Sequence, residues 1–215
     1  MPAERARDFF HGYAGDFDAI YSSRKGVLRG ALNAVLRRSM KLRFLKTLEG
    51  CEPVEGRRVL DVGTGPGHYA IALARRGAEE VVGLDFADGM IELAVHHARE
   101  AGVGGRCRFL NADFFTWRPE RPFDYVILMG FMDYMQNARA VVECALSFTT
   151  RRAFFSFPAA GGFLAWQRKL RYRNRCPLFL YRREEIEALF PGEPGLEVRI
   201  EKIARDYFVT AEKRE

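Results

Sequence analysis

Residues 59–70 read VLDVGTGPGHYA, an apolar run that breaks into three glycines and then into a helical pattern. Gly63 and Gly65 allow a tight turn and let the backbone approach a ligand closely, where a Cβ atom would collide. We expect Pro66 at the first helical position, where its missing N–H costs nothing. The N–H groups of residues 67–69 would then point into the loop and favour negative charge. The pattern predicts a nucleotide-type pocket at the carboxyl end of a first parallel strand.

The spacing of the glycines separates two kinds of nucleotide loop. A dinucleotide fingerprint is Gly-x-Gly-x-x-Gly, but here the third glycine comes one residue early at Gly67, and His68 holds the expected position. The acidic Asp61 also precedes the loop. Residues 61–67, DVGTGPG, resemble motif I of the class I S-adenosylmethionine-dependent methyltransferases, and the resemblance continues to about Met135. It implies S-adenosylmethionine as the cofactor and a set of loop residues that bind it: Asp61, Gly63, Thr64, Gly65 and Gly67.

A second apolar run, residues 81–84, ends in Asp85. This carboxylate follows Gly63 by 22 positions, where nucleotide-binding folds place an acid that accepts hydrogen bonds from the ribose hydroxyls. We expect Asp88 to be the N-cap of the next helix. Residues 85–90, DFADGM, are similar to the second motif of the same family. That resemblance implies two residues that line the adenosine: Phe86 and Met90.

The ends of the third and fourth predicted strands carry the rest of the predicted cofactor site. The third strand is followed by Asp113-Phe114, which resembles the adenine clamp of the family. There Asp113 would accept from the exocyclic amine, and Phe114 would offer its backbone and its ring. The fourth strand, residues 125–129, leads into a segment that in this family faces the methionine portion and the acceptor, beginning at Met129 and Gly130.

The remaining pattern completes the fold. A fifth strand is predicted at 153–157, a helix at 183–190, and a closing antiparallel pair at 196–203 and 207–211. Such a hairpin ends the class I methyltransferase sheet, and ordinary dehydrogenases lack it. We therefore predict an α/β, Rossmann-like class I methyltransferase fold. It has a mostly parallel seven-stranded sheet, a terminal antiparallel hairpin and helices on both faces.

The 215 residues predict a single domain with four parts. These are an N-terminal helical lid or cap (1–50), a cofactor-binding core (57–157), a cap insertion (158–182), and a C-terminal helix with the closing hairpin (183–215). The resemblance implies that the first helix covers the cofactor, with Tyr13 and Tyr21 as contacts, although the aromatic period by itself favours packing of most of its rings on the core. In the second helix, 27–48, we expect the basic residues outward and the apolar ones inward: Leu28, Leu32, Val35, Leu36, Leu42 and Leu45.

Methyl transfer is an in-line displacement that depends mainly on orientation. A dedicated base is optional, although it is useful when the acceptor is a hydroxyl. The candidate bases are Asp133 and Tyr134 after strand four, His68 at the start of the helix after the glycine loop, and His11 on the lid helix. His96 and His97 lie in mid-helix, and we expect them on the surface.

Composition excludes several classes of protein. With 48% hydrophobic and 29% charged residues, the chain is neither disordered nor fibrous. The N-terminus alternates charges where a signal peptide needs an apolar run, and no segment is apolar enough to span a bilayer, so we expect a cytoplasmic protein. The four cysteines lack the spacing of a zinc site or a disulfide framework, and we expect no metal.

The chain has a net charge of +6, and half of its 34 lysine and arginine residues lie in two stretches. Residues 22–48 hold eight basic residues and residues 151–183 hold nine, with no acid in either. We expect a small-molecule acceptor, apolar with a negative charge, although a solvated helix face would give the same pattern. The layout of residues 155–158 and 177–185 is similar to the C-terminal part of magnesium-protoporphyrin O-methyltransferases. Three alternatives stay open: an RNA-directed methyltransferase, a nucleic-acid-binding protein and, less favoured, an NAD(P)-dependent reductase.

Overall fold

The computed structural model describes residues 30–162, 170, 177–190, 192 and 194–214, and within the first range it describes side chains from residue 38 onward. The predictions made for His11, Tyr13 and Tyr21 lie outside these residues, as does most of the insertion at 158–182. None of the helices in the described ranges is long and apolar enough to cross a membrane.

This part of the chain holds five α-helices and seven strands. The helices are α1 (Gly30–Gly50), α2 (His68–Arg75), α3 (Asp88–Glu100), α4 (Ala138–Phe148) and α5 (Arg183–Glu187). The strands are β1 (Arg58–Val62), β2 (Glu80–Asp85), β3 (Cys107–Asn111), β4 (Phe123–Leu128), β5 (Thr149–Pro158), β6 (Leu196–Ile203) and β7 (Asp206–Lys213). A single 3-10 turn, Met132–Tyr134, follows β4.

The seven strands form one sheet in the order β3-β2-β1-β4-β5-β7-β6. The first five are parallel, whereas β7 lies antiparallel between β5 and β6. The predicted mostly parallel sheet with a terminal antiparallel hairpin is therefore confirmed. Strand order reverses between β1 and β4, which is the topological switch point where open α/β sheets bind their ligands.

Two apolar cores cover the two faces of the sheet. Because successive strand residues point to opposite faces, Leu60 and Val62 of β1 pack with α4, whereas Val59 packs with Leu73 of α2 and Leu48 of α1. The strands β1, β2 and β4 are buried along almost their whole length. Near-continuous apolar strands are typical of a parallel sheet that helices cover on both faces.

Helix α1 turns a different face to the core than its pattern predicts. Leu48 and Thr47 are buried, but Leu45 is 47% exposed, so the expectation for Leu45 is wrong. Arg43 does not point outward either, because its side chain is only 13% exposed and contacts the terminal hairpin. The buried face is polar near Arg43 because Asp206 of β7 lies opposite it.

Candidate active site

The glycine loop is bound to the end of the neighbouring strand. The backbone N–H groups of Gly63 and Thr64 both donate to the carbonyl oxygen of Leu84 in β2, at 2.8 and 2.9 Å. The loop therefore rests on the carboxyl ends of β1 and β2, beside the switch point. The sequence placed the loop correctly because the strand, the glycines and the helix are all local signals.

Two of the glycines differ in the space around them. Both have positive φ, +69° at Gly63 and +53° at Gly65, a region that side chains disfavour. A Cβ atom on Gly63 would lie 2.9 Å from Cδ2 of Phe131, so the loop packs tightly against the segment after β4. A Cβ atom on Gly65 would meet no described atom within 4 Å. Gly65 therefore borders open space at the place where a ligand could approach the backbone.

The helix after the loop begins later than predicted. It starts at His68, and Gly67 is its N-cap in a left-handed conformation with φ of 84°. Pro66 thus belongs to the turn and not to the first helical position. The N–H of Gly67 is also engaged, because it donates to the carbonyl oxygen of Thr64 at 3.0 Å. This hydrogen bond closes the turn between the glycine loop and α2.

Asp61 is a buried carboxyl under the loop. It is 2% exposed, and the hydroxyl of Thr64 donates to its Oδ2 at 2.7 Å. Burial, with a smaller contribution from the charge of Asp85, raises the pKa of Asp61 to about 7 against the opposing effect of hydrogen bonds from Thr64 and from the N–H of Ala70. Asp61 therefore ties the end of β1 to both the loop and the first turn of α2.

Asp85 meets the loop at its open position. Its Oδ2 accepts from the N–H of Gly65 at 3.0 Å, and its Oδ1 accepts from the N–H of Ala87 at 3.0 Å. Burial raises the pKa of Asp85, and hydrogen bonds from the backbone N–H groups of Ala87, Gly65 and Phe86 oppose this. A carboxylate oriented by backbone donors keeps acceptor capacity for hydroxyl groups of a ligand. The structure thus brings Gly65 and Asp85 together as predicted.

Helix α3 departs slightly from its predicted start. Its N-cap is Ala87, and Asp88 is the first helical residue, so the N-cap prediction for Asp88 is wrong by one position. The side chain of Asp88 instead accepts a hydrogen bond from the amide of Asn111 at the end of β3. This bond joins α3 to the segment that carries Asp113.

The structure leaves only part of the predicted adenine clamp, Asp113-Phe114, open to a ligand. Asp113 is exposed, and its Oδ1 accepts from the N–H of Phe115 at 2.7 Å. The Phe114 ring is 4% exposed and packs edge-on against Phe131 and Phe148 in the core. Its ring is therefore committed to the core, and only its backbone remains for a ligand. Met90 is similarly buried, at 2% exposure.

The segment after β4 approaches the loop from the other side of the switch point. Met129 is partly buried against the α1 and α2 side, and Gly130 has a φ of +77°. Asp133 is 5% exposed within the 3-10 turn, and its carbonyl oxygen accepts from the N–H of Phe179 at 2.9 Å. Tyr134 is half-buried beside it. Asp133 and Tyr134 therefore lie together, as their sequence adjacency predicts.

The chain returning from the insertion crosses this turn. The hydroxyl of Tyr181 donates to the carbonyl oxygens of Met132 and Met135, each at 3.3 Å. Burial, with the charges of Asp133 and Glu185, raises the pKa of Tyr181 to about 12. Tyr181 therefore serves as a neutral donor that holds the two ends of the turn carrying Asp133. No local pattern in the sequence predicts this contact.

His68 lies on a different element from Asp133 and Tyr134. Its ring stacks on His97 of α3, with centroids 6.3 Å apart and planes 19° apart. Nδ1 of His97 lies 3.1 Å from the carbonyl oxygen of Pro66, which makes His97 a support of the glycine loop. The expectation that His97 is a surface residue is therefore wrong. His96 is exposed as expected.

Arg43, which the sequence did not single out, lies beside the candidate site. Its Nη1 donates to Oγ of Ser156 at 3.1 Å, and the same oxygen accepts from the N–H of Gly130 at 2.7 Å. A Cβ atom on Gly130 would lie 3.8 Å from Nη1 of Arg43. A guanidinium thus lies beside the backbone at the end of β4, on the side of the switch point opposite Asp85.

The described residues also line a surface cavity of about 360 Å³, but at the opposite end of the sheet. Glu143 and Ser147 of α4 line it together with Leu196, Lys213 and Arg214 of the hairpin. None of the predicted site residues contributes to it. The candidate carboxylates Asp61, Asp85 and Asp133 lie instead at or after the carboxyl ends of β1, β2 and β4.

Part of the chain is similar to known proteins. Residues 59–149 match the methyltransferase domain family. The ubiquinone biosynthesis O-methyltransferase of Paracidovorax citrulli is 37% identical over 100 residues, which is 46% of this chain and 42% of that protein. The enzyme of the same name from Maricaulis maris is 37% identical over 99 residues, which is 46% of this chain and 39% of that protein. The chain thus spans about two fifths of the length of these relatives.

Solved structures extend the likeness to nearly the whole chain. Magnesium protoporphyrin IX methyltransferase from Synechocystis PCC 6803, with bound S-adenosylhomocysteine, superposes with a TM-score of 0.78 and covers 97% of each chain at 20% identity. The same protein with bound S-adenosylmethionine gives a TM-score of 0.75. At this identity the likeness concerns the fold.

Proposed function

Because the chain carries the class I S-adenosylmethionine-dependent methyltransferase domain that its sequence resembles, we propose that the protein transfers the methyl group of S-adenosylmethionine to an oxygen of a small, largely apolar molecule. The observation that carries the proposal is the meeting of Gly65 and Asp85 at the switch point of the sheet. The choice of oxygen follows the relatives, which are named O-methyltransferases.

The reaction we propose is a displacement at the methyl carbon. An acceptor oxygen attacks that carbon, the carbon–sulfur bond breaks, and S-adenosylhomocysteine leaves. Because the sulfonium is already an activated leaving group, the protein mainly holds three atoms in line, and orientation of this kind is worth about 7–11 kcal/mol. The acceptor proton passes to a base or to water. Asp133 is the base we propose, since it is buried in the turn after β4 and Tyr134 lies beside it.

The two halves of the cofactor would contact opposite sides of the switch point. We propose that Asp85 accepts from the ribose hydroxyls, while the Gly130 backbone and the Arg43 guanidinium face the methionine half. A guanidinium suits a carboxylate because its planar N–H groups match the two oxygens. Nη1 of Arg43 lies beside Gly130, which supports this assignment. Tyr13 and Tyr21 remain proposed lid contacts on the evidence of their spacing alone.

The proposed charge of the acceptor rests on the second basic stretch. In the first stretch, Arg43 lies 3.9 Å from Asp206 and Lys46 lies 2.7 Å from Glu201, so hairpin acids compensate both. The absence of acids within residues 22–48 therefore does not leave all the positive charges of this stretch unpaired. We still propose an anionic acceptor because Arg171, Arg173 and Arg175 alternate through a segment that ends at Pro177, a spacing that would aim extended side chains to one side.

A methyl-transfer assay with labelled S-adenosylmethionine tests the proposal. The acceptors should form a panel of one apolar ring system that carries a phenol, a carboxylate, an amine or no polar group, together with total RNA. We expect label in the phenol or the carboxylate and none in RNA. Transfer only to the amine would contradict the oxygen assignment, and transfer only to RNA would support the nucleic-acid alternative instead.

A further inference from the structure

The described residues bury a polar cluster between α1, the end of β4 and the terminal hairpin. We call this the Arg43 cluster, and its members are Ser39, Arg43, Gly130, Ser156 and Asp206. We infer that Ser156 and Asp206 are positioning residues, which hold the Arg43 guanidinium at the methionine end of the cofactor site. The inference rests on the contact proposed above between Arg43 and the methionine half of the cofactor.

Ser156 couples Arg43 to the backbone that faces the cofactor. Its side chain is 1% exposed, and its Oγ accepts both from Nη1 of Arg43 at 3.1 Å and from the N–H of Gly130 at 2.7 Å. One oxygen thus fixes two donors that come from elements 87 positions apart in the chain. The oxygen that holds Arg43 therefore also holds the backbone after β4.

Asp206 supplies the charge that lets Arg43 be buried. It is 1% exposed, its Oδ2 lies 3.9 Å from Nε of Arg43, and the hydroxyl of Ser39 donates to the same oxygen. Removing a charged side chain from water is costly unless it is paired and hydrogen-bonded. Strand pairing fixes Asp206 opposite Pro158 at the first position of β7, so the sheet itself sets where the countercharge lies.

We infer that Ser156 and Asp206 order the Arg43 guanidinium before the cofactor binds. A free arginine side chain populates many rotamers, and a ligand that orders it must offset that entropy. Here the guanidinium is already held on two sides, by Ser156 and by Asp206. The terminal hairpin, far along the chain from the glycine loop, would thus determine the affinity for the amino-acid half of the cofactor while leaving the adenosine half unaffected.

Calorimetric titration of two ligands separates this role from a structural one. S-adenosylhomocysteine carries the amino-acid group, whereas 5′-methylthioadenosine has the same adenosine and sulfur but lacks that group. In Asp206→Asn and in Ser156→Ala we expect the dissociation constant for S-adenosylhomocysteine to rise about tenfold. The constant for 5′-methylthioadenosine should change by less than about twofold, since its contacts lie at Asp85 and the loop.

A matched control comes from the other end of the same two strands. Arg152 of β5 pairs with Glu212 of β7 at 2.7 Å, and Arg152 also donates to the carbonyl oxygen of Gly50 in α1. Glu212→Gln therefore weakens the same hairpin and the same helix without touching the Arg43 cluster. It should leave both dissociation constants unchanged. Equal weakening of both ligands in Asp206→Asn and Ser156→Ala would overturn the inference, because that result indicates general loosening.

Two further variants keep the test decisive. Ser156→Thr retains the hydroxyl and should bind S-adenosylhomocysteine within about threefold of the unmodified protein, even if Asp206→Asn fails to fold. Arg43→Gln combined with Ser156→Ala should cost no more than Arg43→Gln alone, because residues that act through one group are not additive. An additive loss would overturn the inference.

The same titrations also separate the positioning role of Ser156 and Asp206 from the proposed contact between Arg43 and the cofactor. If Arg43→Gln weakens both ligands alike, or neither, the contact between Arg43 and the amino-acid half is wrong and the inference fails with it. If Arg43→Gln weakens only S-adenosylhomocysteine but Asp206→Asn and Ser156→Ala have no effect, the contact stands and only the positioning role is wrong.

Discussion

The backbone N–H of Gly65 donates to Oδ2 of Asp85 at 3.0 Å, which joins the glycine loop after β1 to the end of β2. Asp85 comes 20 positions after Gly65, so two separate sequence signals meet in one hydrogen bond. A carboxylate has about four acceptor positions. The backbone donors orient this carboxylate and leave acceptor capacity for the two hydroxyls of a ribose.

Replacing the Asp85 carboxyl should weaken cofactor binding. We expect Asp85→Ala to raise the dissociation constant for S-adenosylhomocysteine by roughly 10- to 100-fold, since hydrogen bonds to a charged acceptor are worth about 1.5–3 kcal/mol. Calorimetry measures this directly. Glu92→Ala, which removes an exposed carboxylate from the neighbouring helix α3, is the control and should bind normally. An unchanged constant in Asp85→Ala would place Asp85 outside the site.

A methyl group at Gly65 should block the ligand more than it harms the fold. Gly65 and Gly56 both have positive φ, +53° and +69°, and neither would bring a Cβ atom within 4 Å of a described atom. Each Gly→Ala change should therefore cost about 1–2 kcal/mol of unfolding free energy from the left-handed backbone. Only Gly65→Ala should also abolish detectable binding of S-adenosylhomocysteine. Normal binding by Gly65→Ala, measured beside Gly56→Ala, would refute close approach of the cofactor to this backbone.

Asp61 should give the free protein a distinctive pH dependence. Burial raises the pKa of its carboxyl from 3.8 to about 7, so the folded state binds a proton that the unfolded state has lost in this range. The contribution of Asp61 to the free energy of unfolding therefore falls as the pH rises from about 4 to about 7. Compared with Asp61→Asn, the unmodified protein should lose stability across that interval in denaturant titrations. Parallel curves for the two proteins would mean that the pKa of Asp61 is not raised.

Loss of the Asp133 carboxylate should affect turnover and not cofactor binding. With the acceptor found in the panel assay, we expect Asp133→Asn to lower kcat by about 10²- to 10⁴-fold, the usual contribution of a general base. Asp124→Asn is the control, because Asp124 lies at the other end of β4 and pairs with Arg57. A fall in kcat of less than about threefold would mean that orientation alone suffices and that the proton leaves through water.

The parts of the site that sequence predicted are those encoded by local patterns. The strand, glycines and helix start at residues 59–70 form a continuous signal, and the apolar run ending in Asp85 is another. Each strand ends at the same edge of a parallel sheet, so these short segments meet without further information. Errors at Pro66 and Asp88 amount to one or two positions at a helix start, where capping depends on backbone geometry.

Contacts between residues far apart in the chain account for what the sequence could not predict. The helical period predicts Arg43 on an outward face of its helix, yet its partner Ser156 lies 113 positions away and Asp206 belongs to the hairpin. The Phe114 ring was assigned to the ligand, but Phe131 and Phe148 bury it. Periodicity reports which residues are apolar and does not tell which distant residues they contact.

Calorimetric titration of the full chain with S-adenosylhomocysteine and, separately, with NADH tests the central claim most directly. We propose that the loop at Gly65, the carboxylate of Asp85 and the backbone after Asp113 bind the adenosine, and the position of Gly67 departs from the dinucleotide fingerprint. We therefore expect saturable heat with S-adenosylhomocysteine and none with NADH. No heat with S-adenosylhomocysteine at millimolar concentration, or saturable binding of NADH alone, would contradict the account.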